Sequence, residues 1–184
     1  MLHEILEKIF MRKKSFLFKI LVAGDGGVGK TSLLRRYVDG FFDDSTIETV
    51  GVDFFVKEIE YNNSKFIMQL WDLGGQERFR HLIENYVMGA RGALLLFDMT
   101  RMPKIDNILQ WVNILRLHDL NLPIILVGTK IDLTDAIAVD DDSALHIKSA
   151  FNMIDYIKTS SKTGDFVEKP FEVLAKTLKE KSKY

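Results

Sequence analysis

Apolar and polar positions follow two rhythms along the chain. FLFKILVA (16–23) is an apolar run of strand length that leads directly into a glycine loop. GALLLFD (92–98) and PIILVG (123–128) are near-continuous apolar runs, the pattern of strands buried on both faces of a parallel sheet. VDFFVKEIEY (52–61) and KFIMQLWD (65–72) read as two strands joined by a polar turn at 62–64, which predicts a hairpin. Between these runs the period lengthens. Residues 30–38 read as a helix, and Ile105, Ile108, Leu109, Val112 and Leu115 form a stripe at helical spacing. A last helix is expected from about residue 167, with Phe171, Leu174 and Leu178 on one face and lysines toward its end. VDDDS (139–143) reads as the N-cap of another helix. Strands alternating with helices predict an α/β fold with helices on both faces of the sheet.

Composition narrows the picture. The chain has 184 residues, 47% hydrophobic and 28% charged, which suits one globular domain with a proper core. That domain is expected to span residues 15–184, with residues 1–14 as an appendage. A net charge of −1 argues against a nucleic-acid binder working through bulk charge. With no cysteine there is no disulfide, no cysteine-based zinc site, no cysteine nucleophile and no acceptor for a prenyl or palmitoyl group. The four histidines share no metal-ligand spacing. No apolar run is long enough to span a bilayer, and no secretory signal is visible. A cytoplasmic monomer is expected.

GDGGVGKTS, residues 24–32, carries the first chemistry. It matches G-x-x-x-x-G-K-[ST], with a strand before it and a helix after it, as a phosphate-binding loop requires. Small residues let the backbone N–H groups of Asp25, Gly26, Gly27, Val28, Gly29, Lys30, Thr31 and Ser32 wrap phosphate, and the helix points its positive end there. Lys30 would reach the β- and γ-phosphates, and the Thr31 hydroxyl would bind Mg²⁺. The strand 65–72 ends in Asp72, a carboxylate suited to holding Mg²⁺ through water. Gly74 and Gly75 allow a close backbone approach to a γ-phosphate. Gln76 is neutral, able to accept from water and to donate to an oxyanion. Thr49, in a polar loop, offers a second hydroxyl to the metal.

TVGVDF (49–54), WDLGGQERFR (71–80), GARGALLLFDMT (89–100), TSSKTG (159–164) and FEVLA (171–175) stand in the order and spacing of the Ras superfamily of small GTPases. The chain resembles most closely its Rab branch, over nearly everything from residue 19 to 179. The resemblance implies a P-loop NTPase G domain, with a mostly parallel six-stranded sheet and helices on both faces. It also implies a switch that binds GTP or GDP with Mg²⁺ and hydrolyses GTP slowly, with effector, exchange-factor and GTPase-activating partners. Phosphate loops do not read the base, but GTKIDL (128–133) can. Asp132 accepts from guanine N1–H and the exocyclic amine, where adenine would leave a carboxylate unpaired. The Lys130 stem would lie on one face of the base. By resemblance Phe42 covers the other side, and Ser160, Ser161 and Lys162 belong to the loop whose backbone N–H, that of Ser161, meets guanine O6.

Two departures stand out. The commonest family form has Asn where this chain has Thr129, as the Rho branch does. Guanine specificity is expected to survive, with looser binding. Leu73 and Gly74 replace a Rab-type Thr-Ala pair and are closer to the Arf form. The catalytic set expected from the resemblance is Lys30, Thr49 and Gln76, and the metal ligands are Thr31, Thr49 and Asp72. Gly26 occupies the loop position nearest the γ-phosphate. No residue stands out as an arginine finger supplied in cis; Arg78 and Arg80 read as solvated charges. Phe54, Trp71 and Tyr86 match either an effector surface or core packing. Leu2, Ile5, Leu6, Ile9 and Phe10 repeat at helical spacing before Arg12, Lys13 and Lys14, which suits either a helix docked on the domain or peripheral membrane contact through residues 2–14. A non-catalytic guanine-nucleotide scaffold is the alternative function. A nucleotide kinase would need an arginine-bearing lid, and the sequence has no insertion long enough for one.

Overall fold

The computed structural model describes residues 14–44, 49–61, 64–76 and 83–182. The N-terminal amphipathic pattern and the pair Arg78 and Arg80 lie outside the described residues. Among the described residues six strands form one sheet: β1 (Lys14–Ala23), β2 (Val52–Tyr61), β3 (Ser64–Leu73), β4 (Gly92–Asp98), β5 (Ile124–Thr129) and β6 (Asp155–Lys158), in the order β2-β3-β1-β4-β5-β6. Only β2 and β3 pair antiparallel, from Val52 opposite Leu73 to Tyr61 opposite Ser64, which is the expected hairpin. Every other neighbouring pair is parallel.

Among the described residues four α-helices cover the sheet: α1 (Lys30–Asp39), α2 (Ile105–Leu115), α3 (Asp141–Ala150) and α4 (Lys169–Lys181). Two hydrophobic layers result. Leu33, Leu34 and Tyr37 of α1 and Phe171, Leu174 and Leu178 of α4 pack on Ile20, Val22, Leu94, Leu96, Ile125 and Val127. On the other face Ile108, Trp111, Val112 and Leu115 of α2 and Ala144 and Ile147 of α3 pack on Leu21, Ala23, Ala93, Leu95, Phe97 and Leu126. Successive residues of β4 therefore enter opposite layers, and all seven are buried. A strand with no wet face has no reason to alternate, which is why GALLLFD is continuously apolar.

The parallel register lines up the strand ends that carry chemistry. Val22 pairs with Asp72, Ala23 with Leu95, and Asp98 with Thr129. β1 sits between β3 and β4, so the connections from β1 and from β4 leave toward opposite edges. That reversal opens a crevice beyond the C-terminal strand ends, where ligands of such sheets bind. The final helix begins at Lys169 rather than residue 167, after Phe166 in the left-handed region (φ 56°) and with Pro170 in its first turn. The sequence pattern does not place β6, a four-residue edge strand. The acidic run caps α3 as expected, with the Ser143 N–H donating to Asp140 Oδ1 at 2.6 Å.

Candidate functional site

A cleft of about 350 Å³ lies along that edge. Its floor is the phosphate loop. Gly24 leaves β1 so close to β4 that a Cβ there would collide with the Leu96 carbonyl oxygen. Gly29 takes φ 93° and α1 starts at the next residue, so the helix's free N–H groups open on the cleft. Lys30 is buried, and its Nζ donates to the carbonyls of Gly24 and Asp25 at 2.9 Å each, fixing the ammonium across the loop. Gly26, Gly27, Gly29, Lys30, Thr31 and Ser32 all line the cleft. A Cβ on Gly26 would meet no protein atom within 4 Å, so a side chain there would project into open space.

Three oxygen donors meet at one end. Thr31 Oγ1 lies 2.7 Å from Thr49 Oγ1 and donates to Asp72 Oδ2 at 2.5 Å. Asp72 is fully buried, and burial pushes its carboxyl above the usual carboxylate range, against the two threonine hydroxyls and the nearby Lys30 charge. Its other oxygen, Oδ1, is buried without a hydrogen-bond partner. A desolvated carboxylate with one oxygen unsatisfied, beside two hydroxyls, is a donor set for a hard divalent cation. Among the described residues no group of three or more His, Cys, Asp or Glu could hold a metal, so this mixed oxygen set is the candidate. Gly75 follows, packed so tightly on the phosphate loop that a Cβ would stand 2.5 Å from the Asp25 carbonyl carbon and from the Gly26 nitrogen. This contact delivers Gln76 to the cleft wall.

Phe42, Thr129, Lys130, Asp132, Ser161 and Lys162 line the other end. Ser160 Oγ donates to Asp132 Oδ1 at 2.6 Å, fixing the carboxylate while its remaining lone pairs stay available. Lys130 lines the cleft with its Nζ held 2.8 Å from Asp98 Oδ2. Burial pushes the Asp98 carboxyl up, but hydrogen bonds from Lys130 and from the Thr100 N–H and hydroxyl outweigh it, and the net shift is downward. Thr129 Oγ1 stands 2.7 Å from the Val28 carbonyl oxygen and 3.0 Å from that of Phe97. One hydroxyl proton serves one of these acceptors at a time, and the nearer one ties the end of β5 to the phosphate loop.

Four expected site residues do not line the cleft. Asp72 is fully buried behind the Thr31 and Thr49 hydroxyls. Val28 is a core side chain, leaving only its backbone to the loop. Ser160 is buried behind Asp132. The Asp25 carboxylate turns away and accepts from Asn107 Nδ2 at 2.7 Å and Trp111 Nε1 at 2.9 Å. Conversely, Arg35, Asp43, Asp44 and Leu133 line the cleft without having been singled out. Asp98 was also missed, although it ends an apolar strand just as Asp72 does. Nearby, Phe54 and Tyr86 are roughly half exposed and flank Trp71, with ring centroids 5.4 and 6.0 Å from it and Lys19 Nζ 4.1 Å above the indole.

The fold and cleft define a phosphate-loop nucleotide-binding domain, and the model of the Ras family matches residues 19–180. The Ras-related protein Rab-1 of Theileria annulata is 41% identical over 173 residues, covering 93% of this chain and 78% of its own length. The Ras-related protein Rab-1 of Theileria parva is 40% identical over the same length and coverage. The chain belongs to the Ras family and, within it, to the Rab branch. It is a GTP-binding switch that hydrolyses GTP, in a family that acts through effectors, exchange factors and GTPase-activating proteins.

Proposed function

We propose that the 350 Å³ cleft holds GTP or GDP with Mg²⁺ and that hydrolysis takes place at its Gln76 end. The convergence of Thr31, Thr49 and the partly unsatisfied Asp72 beside the phosphate loop is the observation that carries this reading. Thr31 and Thr49 would hold Mg²⁺ directly and Asp72 through water; bound there, the ion neutralises charge on the β- and γ-phosphates. Lys30 and the loop N–H groups stabilise the charge that develops as the β–γ bond breaks. Gln76 orients the attacking water. Asp132, held by Ser160, selects guanine, with Lys130 and Phe42 on the two faces of the base and the Ser161 N–H at its O6. The half-exposed Phe54 and Tyr86 around the partly buried Trp71 are the surface an effector would read. Residues 15–184 form the GTPase domain, and residues 2–14 are its candidate peripheral membrane contact.

Titration calorimetry with Mg²⁺ and GTP, GDP or ATP, followed by phosphate release, tests the reading. GTP and GDP are expected to bind, and ATP at least 100-fold more weakly, with slow turnover only of GTP. ATP binding as tightly as GTP would overturn the assignment of the base site.

A further inference from the structure

The phosphate loop is held from behind as well as presented in front. On the side away from the cleft the Asp25 carboxylate accepts hydrogen bonds on both oxygens, from Asn107 Nδ2 and from Nε1 of the buried Trp111, both on α2. The next carbonyl, that of Gly26, accepts from Arg101 Nη2 at 3.0 Å. Arg101 Nε also stands 3.5 Å from Asp98 Oδ2, the oxygen that anchors Lys130. A second cavity of about 170 Å³ lies behind the loop, lined by Asp25, Val28, Asp98, Arg101, Asn107 and Trp111. Space on that side leaves these hydrogen bonds to stop Asp25 and Gly26 from backing away, while Gly24 and Val28 are held by packing. Gly75 rests on the backbone of Asp25 and Gly26, so a shift of this pair also moves the segment that carries Gln76.

We propose that Asn107, Trp111 and Arg101 are positioning residues that clamp Asp25 and Gly26 from behind, and that the clamp sets how long nucleotide stays bound. The proposal rests on the reading of the cleft as the nucleotide site. None of these side chains lines that cleft; Asn107 and Trp111 act through the Asp25 carboxylate and Arg101 through the Gly26 carbonyl. Charge-assisted bonds to a carboxylate are the stronger kind, and opening them lets the N–H groups around the β-phosphate drift from their acceptor. Asp98 joins the clamp to the base site, because Arg101 and Lys130 share its Oδ2.

The test is release of a fluorescent GDP analogue from the whole chain, chased with excess GTP in Mg²⁺. Asn107→Asp sets two carboxylates face to face and is expected to speed release tenfold or more. Combining it with Asp25→Asn restores a donor–acceptor pair. The amide introduced at position 25 donates to the carboxylate introduced at position 107, and its oxygen still accepts from Trp111. Release in that double variant is expected within twofold of the starting protein, a rescue that a merely destabilising lesion would not give. Arg101→Ala, at a largely exposed side chain, is expected to speed release at least threefold, and it decides the matter if Asn107→Asp does not fold. Slow release that stays unchanged in Arg101→Ala and Asn107→Asp, or a double variant no slower than Asn107→Asp, overturns the clamp alone. A starting protein that retains no labelled GDP overturns the reading of the cleft and the clamp with it.

Discussion

In the proposed site Gln76 and Asp132 serve opposite ends of the cleft, and single atoms separate the roles proposed for them. Gln76 reaches the cleft because the glycine before it can lie on the phosphate loop. Replacing it with leucine removes the amide proposed to orient water while leaving Lys30 and the loop N–H groups in place. Gln76→Leu is expected to cut single-turnover hydrolysis at least tenfold, about 1.4 kcal/mol in the barrier, with GTP affinity within threefold; unchanged turnover would take the amide out of the mechanism. Asp132→Asn tests the other end. An asparagine presents one acceptor and one donor, which matches the N1–H and 2-oxo group of xanthine instead of the two donors of guanine. GTP affinity is expected to fall on the order of 100-fold, about 2.7 kcal/mol for a desolvated mismatch, and xanthosine triphosphate to bind better than GTP; a variant still preferring GTP would remove Asp132 from base recognition. That both side chains reach the cleft was legible in the sequence, because each stands just after a glycine or a strand end. Asp25 was not. The phosphate-loop pattern constrains backbone, and nothing within it indicates that this carboxylate faces a tryptophan in α2, 86 residues further along.

At the scale of elements, the strands with no wet face were the easiest to read and the edge was the hardest. β4 and β5 are continuously apolar because both layers of helices close on them. β6 is four residues long and only partly buried, so DYIK offers neither an apolar run nor a clean alternation. The network at the ends of β4 and β5 was equally hidden, since it forms only when the register brings Asp98 beside Thr129. It makes a pH prediction. The Asp98 carboxyl titrates below its ordinary value in the folded chain, so the unfolded chain takes up a proton first on acidification. The stability this group contributes is complete well above the ordinary carboxylate pKa of 3.8. It is lost as the pH falls through that value toward the lower folded one. Asp98→Asn keeps the shape and removes the charge. At pH 7 it is expected to cost about 1–3 kcal/mol by weakening the hydrogen bonds from Lys130 and Thr100. The difference from the starting protein should shrink when denaturant titrations are repeated at steps from pH 6 to pH 3. A difference that holds constant across that range would mean that the Asp98 charge is not what stabilises this corner.

For the whole molecule, the cleft draws on nearly every part of the fold. β1 and α1 supply the phosphate loop, the stretch after β3 supplies Gln76, β5 leads into Lys130 and Asp132, and the turn after β6 supplies Ser161 and Lys162. Nucleotide bound there touches segments that unfolding would separate, so it binds the folded chain alone and stabilises it by mass action. At a free concentration of about 100 times Kd the gain is roughly 2.7 kcal/mol, which for a domain of this size raises Tm by about 5–10 °C. Asp72 adds a condition. Its buried carboxylate has one unsatisfied oxygen and an unfavourable charge that a divalent cation would relieve. Chelating Mg²⁺ from the GDP-loaded protein is therefore expected to remove most of the gain, and adding Mg²⁺ with GDP to restore it. Mg²⁺ with ADP should restore little, because Asp132 has no donor pair to accept from on adenine. Thr31→Ala removes the hydroxyl shared by Asp72 and Thr49, and should leave a Tm that GDP raises equally with and without Mg²⁺. Equal protection by ADP and GDP would break the link between the base end of the cleft and the stability of the fold. A response to Mg²⁺ that survives Thr31→Ala in full would move the metal away from the end where Thr31, Thr49 and Asp72 meet.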